Sequence, residues 1–176
     1  MTASQKQRGE RHALLSLAIM MEWPIRIAGV LSSLLIFVSF CLMIFAIFQR
    51  YFLNTPLKWG DEMLGYLLVA IVMSGMAEAL RRGDHVAIDL LTSFFFGKKV
   101  RAWLTHLSYS AVLAFAVIFG LSADEVVRFS YGFGSYSPGY LEAPMWIPQS
   151  TMIAGSVLLG LGAIAGLVRS FCKAEA

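Results

Sequence analysis

The chain has 176 residues, of which 58% are hydrophobic and only 14% charged, and its mean hydropathy is +0.70. A soluble domain of this size would be nearer half apolar and about a quarter charged, so composition alone excludes an ordinary water-soluble fold. A formal net charge of +3 is too small, and too confined to particular loops, to mark a nucleic-acid-binding protein.

The N-terminal eleven residues are polar and basic, with Lys6, Arg8 and Arg11. A short apolar stretch follows and closes at Glu22, Trp23 and Pro24. No small-x-small cleavage site follows directly, which argues against a secretory signal. Residues 13–23 are instead expected to form a short helix lying in the membrane interface.

Four apolar runs with no charged residue near the middle follow, at about 27–48, 63–80, 102–123 and 145–168. The first is 22 residues, and at about 1.5 Å per helical residue it reaches roughly 33 Å, enough to cross the hydrocarbon core. Trp23, Trp59, Trp103 and Trp146 each stand just before or at the start of a run, where an indole favours the headgroup layer. The expected fold is an all-α integral membrane protein: one four-span domain over residues 1–176, with short amphipathic interfacial helices.

Lysine and arginine placement orients it. The N-terminal tail to Arg26, the second loop and the C-terminal tail hold eleven of these residues, whereas the first and third loops hold three. The positive-inside rule therefore puts both termini in the cytoplasm.

Between the first two spans, Arg50 closes one helix and Pro56 supports a turn. Trp59, Asp61 and Glu62 open the next helix, whose N-terminal dipole favours acids. Ordinary turn and cap chemistry accounts for these residues, and Arg50 could in addition pair with Glu62 across this outer hairpin. At the other end of the second span, Glu78 lies three and four residues before Arg81 and Arg82, the spacing of a helical ion pair at the interface.

The second loop carries an amphipathic pattern over 85–96. His85, Asp89, Thr92 and Ser93 share one face, while Ala87, Leu90, Leu91, Phe94 and Phe95 share the other. This predicts a second interfacial helix, followed by Lys98, Lys99 and Arg101. The third loop, about 124–144, is rich in glycine and tyrosine and is expected to be irregular. On the fourth span, Ser156 with Gly160 and Gly162 with Gly166 give small residues at i, i+4, which permits close helix approach.

Little in the chain carries chemistry. Cys41 and Cys172 form no metal or redox motif, and no nucleophile–base pair or carboxylate cluster is present. No catalytic, metal or cofactor residue is assigned. A charge at the bilayer centre costs roughly 2.5–3.5 kcal/mol and persists mostly where function requires it, so spans without mid-membrane charge point to support rather than ion conduction. The alternative from another class is a haem-binding anchor of a redox enzyme, with His85 and His106 as axial ligands.

Two blocks resemble the small membrane subunit, DctQ type, of tripartite ATP-independent periplasmic (TRAP) transporters. One is Gln49-Arg50-Tyr51-Phe52 with Asn54, Pro56, Trp59 and Glu62. The second runs from Gly75 through Arg81-Arg82-Gly83-Asp84-His85-Val86 to Asp89-Leu90-Leu91. Pro144-Met145-Trp146 with Pro148 adds to the likeness. Gly60-Asp61 departs from it, standing where that family often has a small polar residue and a first glutamate.

The resemblance implies a non-enzymatic permease subunit without a cofactor, in the bacterial inner membrane. Its implied partners are a large multi-span permease subunit, a periplasmic substrate-binding protein and membrane lipids. It implies sodium- or other cation-coupled uptake of organic acids by the assembly. Arg50, Trp59 and Glu62 would shape the outer edge, and Arg81, His85 and Asp89 the inner interfacial helix.

Overall fold

The computed structural model describes residues 3–82 and 98–174 of the chain. It contains four long helices: α1 over Ala3–Phe52, α2 over Gly60–Arg82, α3 over Lys98–Gly132 and α4 over Trp146–Ala174. All four are long and apolar enough to cross a membrane. The expected second interfacial helix at 85–96, with His85 and Asp89, lies outside the described residues.

Helix α4 is the hub. It packs against α3, α2 and α1, and α1 packs along α2. The small residues of α4 explain this. Gly155 admits Met73 of α2 so closely that a Cβ there would lie 2.7 Å from the Met73 Cβ and 3.0 Å from its carbonyl oxygen. Ser156 sits against Gly120 of α3, and Gly162 against Leu80 of α2 and Ile25 of α1. Both expected small-residue pairs thus face the chain's own helices, where van der Waals packing replaces the hydrophobic effect that lipid cannot supply. The buried cluster of Leu80, Ala116, Leu159 and Ala163 lies along these seams.

On α1, Glu22, Ile25, Ala28 and Ser32 are buried, and Leu35, Ser39, Leu42, Ala46 and Gln49 continue the line half-buried. Their alternating three- and four-residue spacing is the narrow seam of one helix laid along another. Ser32 caps the seam's close approach by donating its hydroxyl to the Ile71 carbonyl of α2 at 2.9 Å. Between Ile27 and Phe48 the remaining surface of α1 is largely apolar and exposed, as at Val30, Phe37 and Phe40. Such a surface suits hydrocarbon, and the helical backbone satisfies its own polar groups there.

Two boundaries differ from expectation. Residues 13–23 are not a separate helix: α1 continues through Pro24. Proline removes one backbone donor. Glu22, Ile25 and Ala28 on both sides of it are buried against the bundle and hold the helix together there.

Helix α3 does not stop near residue 123 but continues to Gly132. Asp124 and Arg128 pair at 2.7 Å, one turn apart, so the charges that end the apolar run extend the helix beyond the membrane. The stop is local. Gly134 has φ +58° and donates to the Tyr131 carbonyl at 3.3 Å, while Ser135 donates to Ser130 at 2.9 Å. That paired pattern is a Schellman cap, in which glycine takes the left-handed position. The irregular outer segment is therefore 133–145.

Candidate functional site

Polar structure is concentrated at the two ends of the bundle. At the outer end, Glu62 stands in the first turn of α2. Tyr66, one turn on, donates its hydroxyl to Glu62 Oε1 at 2.8 Å, and Ser137 from the outer segment donates to the same oxygen. The Leu141 backbone N–H donates to Glu62 Oε2 at 3.2 Å. Gly139 lies directly over the carboxylate, and a Cβ there would collide with Glu62 Oε2.

The segment reaches Glu62 because it folds as a small hairpin. Ser137 donates to Ala143 and Met145 to Ser135, each at 2.9 Å, and Tyr136 bridges Pro144. Glu142 takes φ +44° at its turn. Lys58 from the first loop holds its ammonium 5.1 Å from the Tyr140 ring centre, and Tyr131 meets Trp146 edge-on at 6.0 Å. A carboxylate with three donors fixes the hairpin on the start of α2.

The Arg50–Glu62 pair that the sequence left open is not formed. Arg50 is exposed at the end of α1 and has no ion-pair partner among the described residues. Sequence proximity across a short hairpin suggested it, but the hairpin from 79 residues further on supplies neutral donors instead. Trp59 is 38% exposed, and its carbonyl accepts the Met63 N–H at 3.1 Å at the start of α2.

At the inner end the i+3 and i+4 expectation holds. Arg81 donates from Nε to Glu78 Oε2 and from Nη2 to Oε1, both at 2.6 Å, and Arg82 Nε reaches Oε1 at 2.8 Å. Glu78 is buried because its stem lies on Gly29 of α1, where a Cβ would stand 2.6 Å from Glu78 Cγ.

The larger part of this cluster has no local signal in the sequence. Glu22 of α1 is only 3% exposed and pairs with Arg169 near the end of α4. It also lies 3.9 Å from Arg81 and 3.8 Å from Arg26. Only the Glu22–Arg26 spacing could have hinted at this. Glu22 thus ties α1 to α2 and α4 at one end, while Glu78 is paired within α2, and charge is tolerated at both sites because it is paired.

Residues 39–173 match the family described as "Tripartite ATP-independent periplasmic transporters, DctQ component". The chain belongs to the DctQ family. It is 32% identical over 103 residues to the C4-dicarboxylate TRAP transporter small permease protein DctQ of Rhodobacter capsulatus, covering 58% of this chain and 44% of that protein. It is also 32% identical over 89 residues to the sialic acid TRAP transporter permease protein SiaT of Haemophilus influenzae, covering 51% of this chain and 14% of that protein. The aligned stretch spans less than half the length of either relative.

As a DctQ component with four apolar helices, the chain is a small permease subunit of a TRAP transporter and a multi-pass protein of the bacterial inner membrane. It is a transporter component and not an enzyme. Family membership displaces the haem-anchor alternative on His85 and His106.

Proposed function

We propose that this chain braces the large, multi-span subunit of a cation-coupled secondary transporter for organic acids and helps to dock its periplasmic substrate-binding protein. One observation carries the reading. The polar side chains capable of handling charge sit at the ends of the bundle, and the carboxylate sites at both ends are engaged by the chain's own groups. Between Arg26 and Arg50, Glu62 and Glu78, Arg101 and Asp124, and Met145 and Arg169 the helices hold no charged residue. A frame stiff at both ends and electrically silent between them suits a brace for a moving partner.

Orientation follows the positive-inside rule, with the Glu22–Arg169 cluster at the cytoplasmic face and the hairpin at the periplasmic face. There Tyr131, Phe133, Tyr136 and Tyr140 are exposed and offer an aromatic surface to the binding protein. Arg50, with Tyr51 and Phe52 exposed beside it, offers a cationic corner to the large subunit. Both similar relatives are named for organic acids, which supports that substrate class.

The test is reconstitution. The chain is expected to co-purify with the large subunit, and liposomes holding both, with the binding protein outside, are expected to take up substrate under a sodium gradient. Liposomes holding this chain alone are expected to take up none. Uptake by the isolated chain would overturn the proposal.

A further inference from the structure

We infer that the inner end of the bundle binds an anionic phospholipid, with its phosphate on Arg81 and Arg169 and an acyl chain in the groove between α2 and α3. Two adjoining features carry this. The first is a cavity of about 250 Å³ whose polar lining includes Glu22, Arg81, Thr105, Tyr109, Arg169 and Ser170. The second is an apolar groove of about 480 Å³ formed by Met76 and Ala79 of α2 and Val112 and Phe115 of α3, floored by Leu159 of α4. Leu80 lines both, so a polar cavity opens beside a hydrocarbon-lined channel.

Charge favours an anion there. Among the described residues, four guanidiniums, those of Arg26, Arg81, Arg82 and Arg169, share two carboxylates, Glu22 and Glu78. Glu22 is almost fully buried, whereas the Arg169 side chain is 41% exposed and can still turn donors outward. A guanidinium presents a fork of donors suited to phosphate oxygens. A basic pocket between helices at the cytoplasmic side is a recurrent setting for anionic headgroups. The site is complete within this chain, so it does not rest on assembly with the large subunit.

Native mass spectrometry of the full chain in detergent tests the inference, with dioleoylphosphatidylglycerol, dioleoylphosphatidylcholine and inorganic phosphate supplied separately. Phosphatidylglycerol is expected to remain bound, while phosphatidylcholine is retained more weakly and inorganic phosphate does not displace the lipid. Arg169→Gln is expected to weaken phosphatidylglycerol retention by about tenfold, the loss of one charge-assisted partner. Ala111→Trp changes no charge and acts on an exposed groove position, so it keeps the test decisive if Arg169→Gln does not fold. It is expected to reduce retention comparably.

Equal retention of the two lipids would overturn the inference, as would unchanged retention in Ala111→Trp. Full displacement by inorganic phosphate would show an anion site without an acyl chain. Loss of bound lipid when the large subunit is present would show that a partner helix fills the groove instead.

Discussion

Gly139 sits over the Glu62 carboxylate at a distance that leaves no room for a side chain. The contact joins the outer hairpin to the first turn of α2 and makes two chain-distant loops one rigid unit. Gly139→Ala is therefore expected to lift the hairpin and expose residues 133–145 to protease. Glu62→Ala should do the same by leaving the Ser137, Tyr66 and Leu141 donors without their acceptor. Limited proteolysis in detergent checks both, and wild-type resistance in Gly139→Ala would contradict the geometry.

Removal of Glu22 should be more damaging than removal of any exposed acid. It leaves Arg169 without its carboxylate and weakens the surroundings of Arg81. Arg169 is 41% exposed, so water replaces part of the lost contact and the cost falls below the roughly 3–5 kcal/mol of a fully buried pair. Glu22→Gln and Arg169→Met are each expected to lower the melting temperature, and the two combined are expected to lower it by less than the sum of the single effects. A double-mutant cycle in detergent, read by thermal melting, measures the coupling. Additive effects of the two single changes would refute it.

Two glycines in α2 and α4 should behave oppositely. Gly155 meets a backbone oxygen and a side chain of Met73, and the oxygen cannot move aside. Gly155→Leu is expected to separate α4 from α2 and prevent stable folding. Gly65 has open space around its Cβ position. Gly65→Ala is expected to be neutral or to stabilise by about 0.5–1 kcal/mol through helix propensity. Comparing the yields of folded protein by size-exclusion chromatography separates the two outcomes.

Arg50→Gln and Glu78→Gln address function. Arg50 makes no ion pair among the described residues, so its replacement should leave the melting temperature of the isolated chain unchanged and weaken co-purification of the large subunit. Glu78→Gln should loosen the α1–α2 end without altering the coupling ion of the assembled transporter, since Glu78 is held by Arg81 and Arg82. Abolished cation coupling in an intact Glu78→Gln assembly would show that this carboxylate conducts.

Hydropathy made the four helices legible because the energetic demand it reports, burial in lipid, acts on each segment separately. It misplaced the end of α3 because lipid contact and helix formation stop at different residues. Asp124 and Arg128 leave the apolar layer, yet sustain the helix. Local spacing likewise revealed Glu78 with Arg81 and Arg82, and the small residues of α4. The partners of Glu62 and Glu22 were not legible. Ser137, Leu141 and Arg169 are brought to them by tertiary packing, and no periodicity in a single sequence encodes which distant donor arrives. Family resemblance marked Trp59 and Glu62 as noteworthy, but the geometry supplied the reason for Glu62.

The union of Glu22 with Arg169 also orders events during biosynthesis. A ribosome delivers Glu22 ahead of the first apolar span, and Arg169 only as the final helix emerges. Until then a carboxylate waits at the headgroup border without its principal counter-charge. Closure of that end is thus a late step, and a chain terminated before Arg169 keeps its first helix on α2 but without the ion pair to the last helix.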